Sequence, residues 1–350
     1  MKKTLLLAAF ALVTFSQSFA KVWRVNNNAG IIADFTTVGA AIASASVVSG
    51  DTLHIEASPN SYPVSGSAIT KSLTYIGAGY FLDPNDPGAP ANTGLQVATE
   101  HSNLQFLRLG AGADGSKFIG LIFSGSLYMS GANNVSIERC LIISGIYFES
   151  GTNNNFSFRK SFMANSNQIN MSGSAVISGF VCENNLFYNS AFVNLPNLTG
   201  SANIFRNNTI GGFNGMTLTN TYVANNIFGI TPQCNFVNCT IKNNLFQINQ
   251  TLPPTATDNQ LNVNMATVTI GGTTGSLDSR WQLKPGSPAI GAGLTVGTVV
   301  SPDCGAFGAT DPYKLSGIPN IPTIYTMNVP VSIPSGSATM NVTFSTRNNN

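Results

Sequence analysis

Along residues 180–246 a short stretch of alternating apolar and polar positions runs into a pair of asparagines and resumes as an apolar doublet, four times over. The copies are Cys182-Glu-Asn-Asn-Leu-Phe187, Phe205-Arg-Asn-Asn-Thr-Ile210, Val223-Ala-Asn-Asn-Ile-Phe228 and Ile241-Lys-Asn-Asn-Leu-Phe246. Alternation with period two predicts a half-buried strand, and the asparagine pair predicts the turn that ends it. The second asparagine, at Asn185, Asn208, Asn226 and Asn244, recurs after 23, 18 and 18 residues, a spacing that marks stacked repeats. With that residue as position zero, positions minus five and minus three read Phe180 and Cys182, Asn203 and Phe205, Thr221 and Val223, Cys239 and Ile241, an inward face. The doublet after the turn is expected to supply the next inward residues.

The same register reaches backwards with the asparagine replaced. Cys140 and Ser161 take its place in the copies around Val135–Ile142 and Phe156–Met163, and Gly120 fits more loosely one step earlier. One coil of about 20 residues cannot bury its apolar side alone, whereas coils stacked at the strand spacing of about 4.8 Å build a continuous core. Position zero then becomes a column. Asparagine suits it as a residue that tolerates a left-handed turn and whose amide both donates and accepts, so the four asparagines are expected to form a structural ladder rather than a ligand site.

These repeats resemble those of right-handed parallel β-helix proteins of the pectin-lyase-like fold, whose coils often carry an asparagine ladder. The run Trp281-Gln-Leu-Lys-Pro-Gly-Ser-Pro-Ala-Ile-Gly-Ala-Gly293 and the later Asp303-Cys-Gly-Ala-Phe-Gly308 resemble the closing motif of many secreted bacterial members, with Cys304 where an apolar residue is more usual. The likeness covers residues 22–312. It implies an all-β fold, a right-handed parallel β-helix (β-solenoid) with a short N-terminal capping helix. It leaves activity open, since the fold hosts lyases, hydrolases, isomerases, esterases and adhesins. None of the family's catalytic motifs can be carried onto a residue of this chain.

The two ends differ from the repeats. Residues 1–20 read as a cleaved secretory signal, with Lys2 and Lys3, an apolar run from Thr4 to Phe15 and Ser18-Phe-Ala20, so the protein is expected outside the cell or on its surface. That run is too short to span a bilayer, and no membrane span is expected. Residues 34–45 place Phe35, Val38, Ala41, Ile42 and Ala45 at helical spacing behind Asp34 or Thr36 as cap, a plug for the open end of the solenoid. The Pro-rich stretch 80–93 is a loop, a usual place for specificity on a rigid scaffold. We divide the chain into the signal, a β-helix domain over 21–314 and a Pro-punctuated tail over 315–350 with a terminal strand at 338–345.

Composition narrows the functional classes. Without the two lysines of the signal the chain has fourteen basic and fourteen acidic residues, so it lacks the electrostatic footprint of a nucleic-acid binder. The five cysteines, Cys140, Cys182, Cys234, Cys239 and Cys304, show no C-x-x-C spacing and read as buried free thiols, with pairings of Cys234 to Cys304 or Cys239 left open. No cofactor and no metal site is expected.

One surface column carries candidate chemistry. Position minus two reads Glu138, Arg159, Glu183, Arg206, Ala224, Lys242, and opposite charges on adjacent coils would lie about 5 Å apart. A register-keeping ion-pair ladder is the simpler reading. The functional one makes Glu138, Arg159, Glu183, Arg206 and Lys242 part of a ligand groove for an extracellular polysaccharide or a cell-surface partner. With Arg159 between them, both glutamates would stay ionised, which is wrong for a general acid. No residue is therefore assigned a catalytic role. The expectation is a non-catalytic exported binding protein, and the alternative is a polysaccharide lyase or glycoside hydrolase.

Overall fold

A computed structural model describes residues 20–349 apart from 65, 87–89, 93–94, 96–99, 165–167 and 296, and apart from the side chains of 190, 191, 213, 214 and 325. Except for Ala20, the signal read in residues 1–20 lies outside the described residues, as does part of the 80–93 loop.

The repeats fold as the alternation dictates, into a parallel β-solenoid of about eight turns with very little helix. Ten strands stack into one sheet in chain order: β1 Val22–Val25, β2 Thr52–Ile55, β3 Thr74–Ile76, β4 Lys117–Ile119, β5 Ser136–Glu138, β6 Ser157–Arg159, β7 Val181–Glu183, β8 Asn203–Arg206, β9 Thr221–Ala224 and β10 Thr240–Lys242. A second sheet of 15 strands carries the remaining sides of the coils. At the minus-three position, Tyr75, Phe118, Ile137, Phe158, Cys182, Phe205, Val223 and Ile241 form one fully buried column. Aromatic rings continue it across the turn, where Phe228 and Phe246 stack at 4.7 Å with planes 3° apart.

The asparagine ladder forms and is longer than the four copies suggest. Asn185 donates its backbone N–H and its Nδ2 to Oδ1 of Asn208, and the pattern repeats from Asn208 to Asn226, Asn226 to Asn244 and Asn244 to Asn259, each bond 2.9–3.0 Å. Each Nδ2 also reaches a strand carbonyl one coil away, as Asn208 does to Cys182 O. Ser161 and Cys140 extend the column backwards, with Cys140 N–H donating to Ser161 Oγ and Ser161 N–H to Asn185 Oδ1. Strand pairing puts Gly120 beside Arg139, one place before this column, so Leu121 and not Gly120 occupies position zero there.

The backbone reason given for the ladder belongs to its neighbour. Positive φ occurs at the first asparagine of each pair, Asn184, Asn207, Asn225 and Asn243, and at Gly120, Arg139, Lys160 and Asp258 in the same place. Asparagine, aspartate and glycine occupy that region readily, whereas Arg139 and Lys160 there are uncommon. The apolar doublet divides as well. Its second residue, Phe187, Ile210, Phe228 or Phe246, enters the solenoid core, while Leu186, Ile227 and Leu245 point the other way. Successive strand residues must face opposite sides.

What covers those outward residues is the chain's own return. Residues 289–295 and 297–320 run back over the turns, against the order of the coils. Cys304, fully buried, packs with Ile227, Leu245, Val268 and Ala289, and so fills the apolar place the closing motif predicts. Further along, Ala306 and Tyr313 pack with Leu186, Phe162 and Phe81. Beneath lies a buried polar knot: Asp278 accepts from Asn92 Nδ2, Ser276 Oγ, Tyr313 O–H and Ser316 N–H, and Tyr313 meets Tyr80 hydroxyl to hydroxyl at 2.6 Å.

At the N-terminal end the helix, α1, spans Val38–Ala43, buries Val38 and Ala41 and is capped by Thr37, whose side chain accepts the Ala40 N–H. Neither expected cap serves: Asp34 accepts the Arg24 N–H instead. Lys71 Nζ donates to the Ile42 and Ser44 carbonyls at the helix's C-terminal end, where a cation suits the dipole. In the tail, β11 Thr323–Asn328 pairs antiparallel with β12 Thr343–Arg347, a later start for the terminal strand than its sequence suggests. All five cysteines are free, and burial raises the thiols of Cys140, Cys234 and Cys304 to about 12.

Candidate functional site

Strand register aligns Glu138, Arg159, Glu183, Arg206, Ala224 and Lys242 on consecutive coils, as the repeat spacing requires. Only part of the column interacts as opposite charges on neighbouring coils. Glu183 lies between two guanidinium groups, with Arg159 Nη2 3.1 Å from Oε2 and Arg206 Nη2 2.5 Å from Oε1, and its side chain is 9% exposed. Glu138 does not pair with Arg159. Its Oε1 sits 2.6 Å from Lys160 Nζ and 3.7 Å from Arg139 Nε. Ala224 is buried, and Lys242 has no ion pair among the described residues.

Glu138 is diverted by the left-handed column beside it. Residues there leave the turn toward the return segment and hold it by its backbone and one carboxylate. Asn243 Nδ2 donates to Ala292 O, and Asn225 accepts the Leu294 N–H at 2.7 Å. Asn184 Nδ2 donates to Ala306 O and Gly308 O, Lys160 pairs with Asp311 at 2.7 Å, and Arg139 Nη1 donates to Ile318 O. At Gly120 there is no side chain, and Pro319 lies directly over it. One member of the series breaks the rule. Asn207 is fully buried, and neither its Oδ1 nor its Nδ2 has a hydrogen-bond partner among the described residues.

Between the charged column and the return segment lies a polar cleft of about 170 Å³. Arg159, Lys160, Glu183, Asn184, Arg206 and Asn207 line its solenoid side, and Ala309, Thr310 and Asp311 form the opposite wall. Ala309 has φ +66°, a left-handed conformation that costs an alanine about 1–2 kcal/mol. Each arginine uses one nitrogen on Glu183, so several of the five N–H donors of each guanidinium remain without a partner among the described residues.

Both glutamates of the column are engaged in ion pairs, Glu138 with Lys160 and Arg139 and Glu183 with Arg159 and Arg206. The two histidines are elsewhere: His54 lies on β2 three coils before Glu138, and His101 Nε2 accepts the Leu82 N–H. Burial lowers both imidazoles' affinity for a proton. No cluster among the described residues has three or more metal-binding side chains, and no described helix is long and apolar enough to cross a membrane.

On the other sheet Arg108, Tyr128 and Tyr147, with Phe106 just before the strand, form a row that resembles a sugar-stacking platform. Yet Tyr128 and Tyr147 stack on each other at 5.2 Å with planes 20° apart, so their faces are occupied along the solenoid axis. Arg108 covers Tyr128 in turn and pairs with Glu149. The row reads as a structural ladder.

Sequence reasoning named Arg159, Glu183 and Arg206 but missed Arg139, Lys160, Asn207 and Asp311. The signal for the first three was present, because they occupy the minus-one place of the same repeat. No family model matches the chain, and no curated protein was found to match it.

Proposed function

We propose that this is an exported, non-catalytic right-handed β-helix protein of the pectin-lyase-like kind that binds glycans along the flank bearing the charged column. The observation that carries this reading is the arrangement at Glu183. The acid best placed for chemistry spends both oxygens on two arginines, while the spare donors of those arginines, with Asn207, border a cleft walled by the return segment. Such a site is built to hold hydroxyl and acidic oxygens in place. The cleft is smaller than the 300–1,000 Å³ typical of sites that engulf a ligand, which fits capture of one residue of a longer chain.

Export rests on residues 1–20, and the kinship rests on the ladder and the closing motif. The test uses purified residues 21–350 against a panel of neutral and acidic polysaccharides, following retention, unsaturated-product absorbance and reducing ends. Retention without product is expected, weakened by Arg159→Gln or Arg206→Gln. Product release that is lost in Glu183→Gln would replace this reading with a polysaccharide lyase or glycoside hydrolase. Absence of both retention and product would leave a scaffold without a glycan ligand.

A further inference from the structure

The ion pairs around the cleft fall into two groups whose charges do not sum alike. Arg139, Glu138, Lys160 and Asp311 form a chain of two cations and two carboxylates, which balances. Arg159, Glu183 and Arg206 form a triad of two cations and one carboxylate, which leaves one positive charge on the side chains that line the cleft. Against that charge stands Asn207, the one member of its column from Arg139 to Asn243 that does not hold the return segment. A buried amide with neither atom bonded among the described residues costs stability, and at the wall of a cleft it is placed to meet a ligand.

We propose that the cleft is a specificity subsite for one singly charged oxyanion, a carboxylate or a sulfate ester, on a sugar-sized ligand. This deepens the glycan-binding reading and rests on it. Glu183 fixes the two guanidinium groups in orientation, so that their free forks can take a planar or tetrahedral oxyanion by paired hydrogen bonds. The anion neutralises the triad, and the Asn207 amide completes the ring by donating to the anion or to a neighbouring hydroxyl. A neutral sugar leaves the charge uncompensated and binds more weakly.

The experiment titrates the mature protein by calorimetry with glucuronate, glucose 6-sulfate and glucose, in parallel with retention on neutral and acidic polymers. At least one of the two anions is expected to bind at least tenfold more tightly than glucose and to weaken as sodium chloride is raised, and the tighter of the two identifies the group. Arg206→Gln and Asn207→Gly are each expected to weaken the anion tenfold or more. Glycine accepts the positive φ of residue 207, so Asn207→Gly keeps its fold, and its thermal unfolding verifies this. Equal binding of glucose and both anions, or an anion affinity untouched by Asn207→Gly, overturns the proposal. Equal retention of neutral and acidic polymers sinks the subsite and leaves glycan binding standing, whereas anion binding without retention of any polymer sinks glycan binding and leaves the subsite.

Discussion

Two columns of asparagine, one residue apart in the sequence, do different work. The second asparagine of each pair turns inward and is bonded within a closed system of amides and carbonyls that ties each coil to the next. Its neighbour, in a left-handed conformation, reaches outward and clamps a segment from the end of the chain. Chemically the residues are identical. What separates them is the backbone: one residue of turn reverses the side-chain direction, so a doublet Asn-Asn serves both the stack and its cover. The two columns should respond to mutation very differently, and Asn207 should behave like neither.

The largest effect is expected in the inner column. Asn208→Ala removes an acceptor used by the N–H and Nδ2 of Asn185 and a donor used by Cys182 O and Asn226 Oδ1, all in a dry interior. Leaving several buried groups unpaired should destabilise the fold by about 2–4 kcal/mol. Chemical denaturation of the variant against the parent protein measures this. A loss below about 1 kcal/mol would mean that the ladder is a by-product of stacking and not a support for it.

The inner column was the part most legible in the sequence, because an interior turn admits few residues and the period survives from Cys140 to Asn244. Cys140 and Ser161 could be placed in it for the same reason. The return segment was not legible. Its side-chain bonds to the outward column join residues 49 to 179 positions apart, such as Asn243 with Ala292 and Arg139 with Ile318, and no local pattern encodes that pairing. Hence the doublet's first residue, apolar at Leu186, Ile227 and Leu245, was assigned to the wrong core. Likewise Glu138 was matched to Arg159 by strand neighbourhood, when Lys160 from the adjoining column is nearer. The charged column itself followed from spacing alone, but the cleft beside it needs the wall at residues 309–311.

An intermediate effect is expected in the clamp. Asn184→Gly keeps the left-handed turn free of strain and removes two bonds, of 3.0 and 2.9 Å, to the Ala306 and Gly308 carbonyls. A loss of about 1–2 kcal/mol is expected, with hydrogen exchange speeding up in residues 305–311 before it does in the coils. Uniform acceleration across the solenoid would show instead that the segment and the coils unfold as one unit.

The smallest effect belongs to Asn207, and it tests the contrast most sharply. Asn207→Gly deletes an amide that has no hydrogen-bond partner among the described residues, at a backbone angle glycine adopts freely. The gain from removing an unsatisfied buried group opposes the greater entropy glycine brings to the unfolded chain. Stability should therefore stay within about 0.5 kcal/mol of the parent, although the same change at the preceding coil costs more. A loss as large as that of Asn184→Gly would mean that Asn207 is a clamp residue after all, bonded to the return segment in solution. Near-neutral stability combined with a loss of anion affinity would instead separate the two duties within one column, holding the cover at Asn184 and meeting the ligand at Asn207.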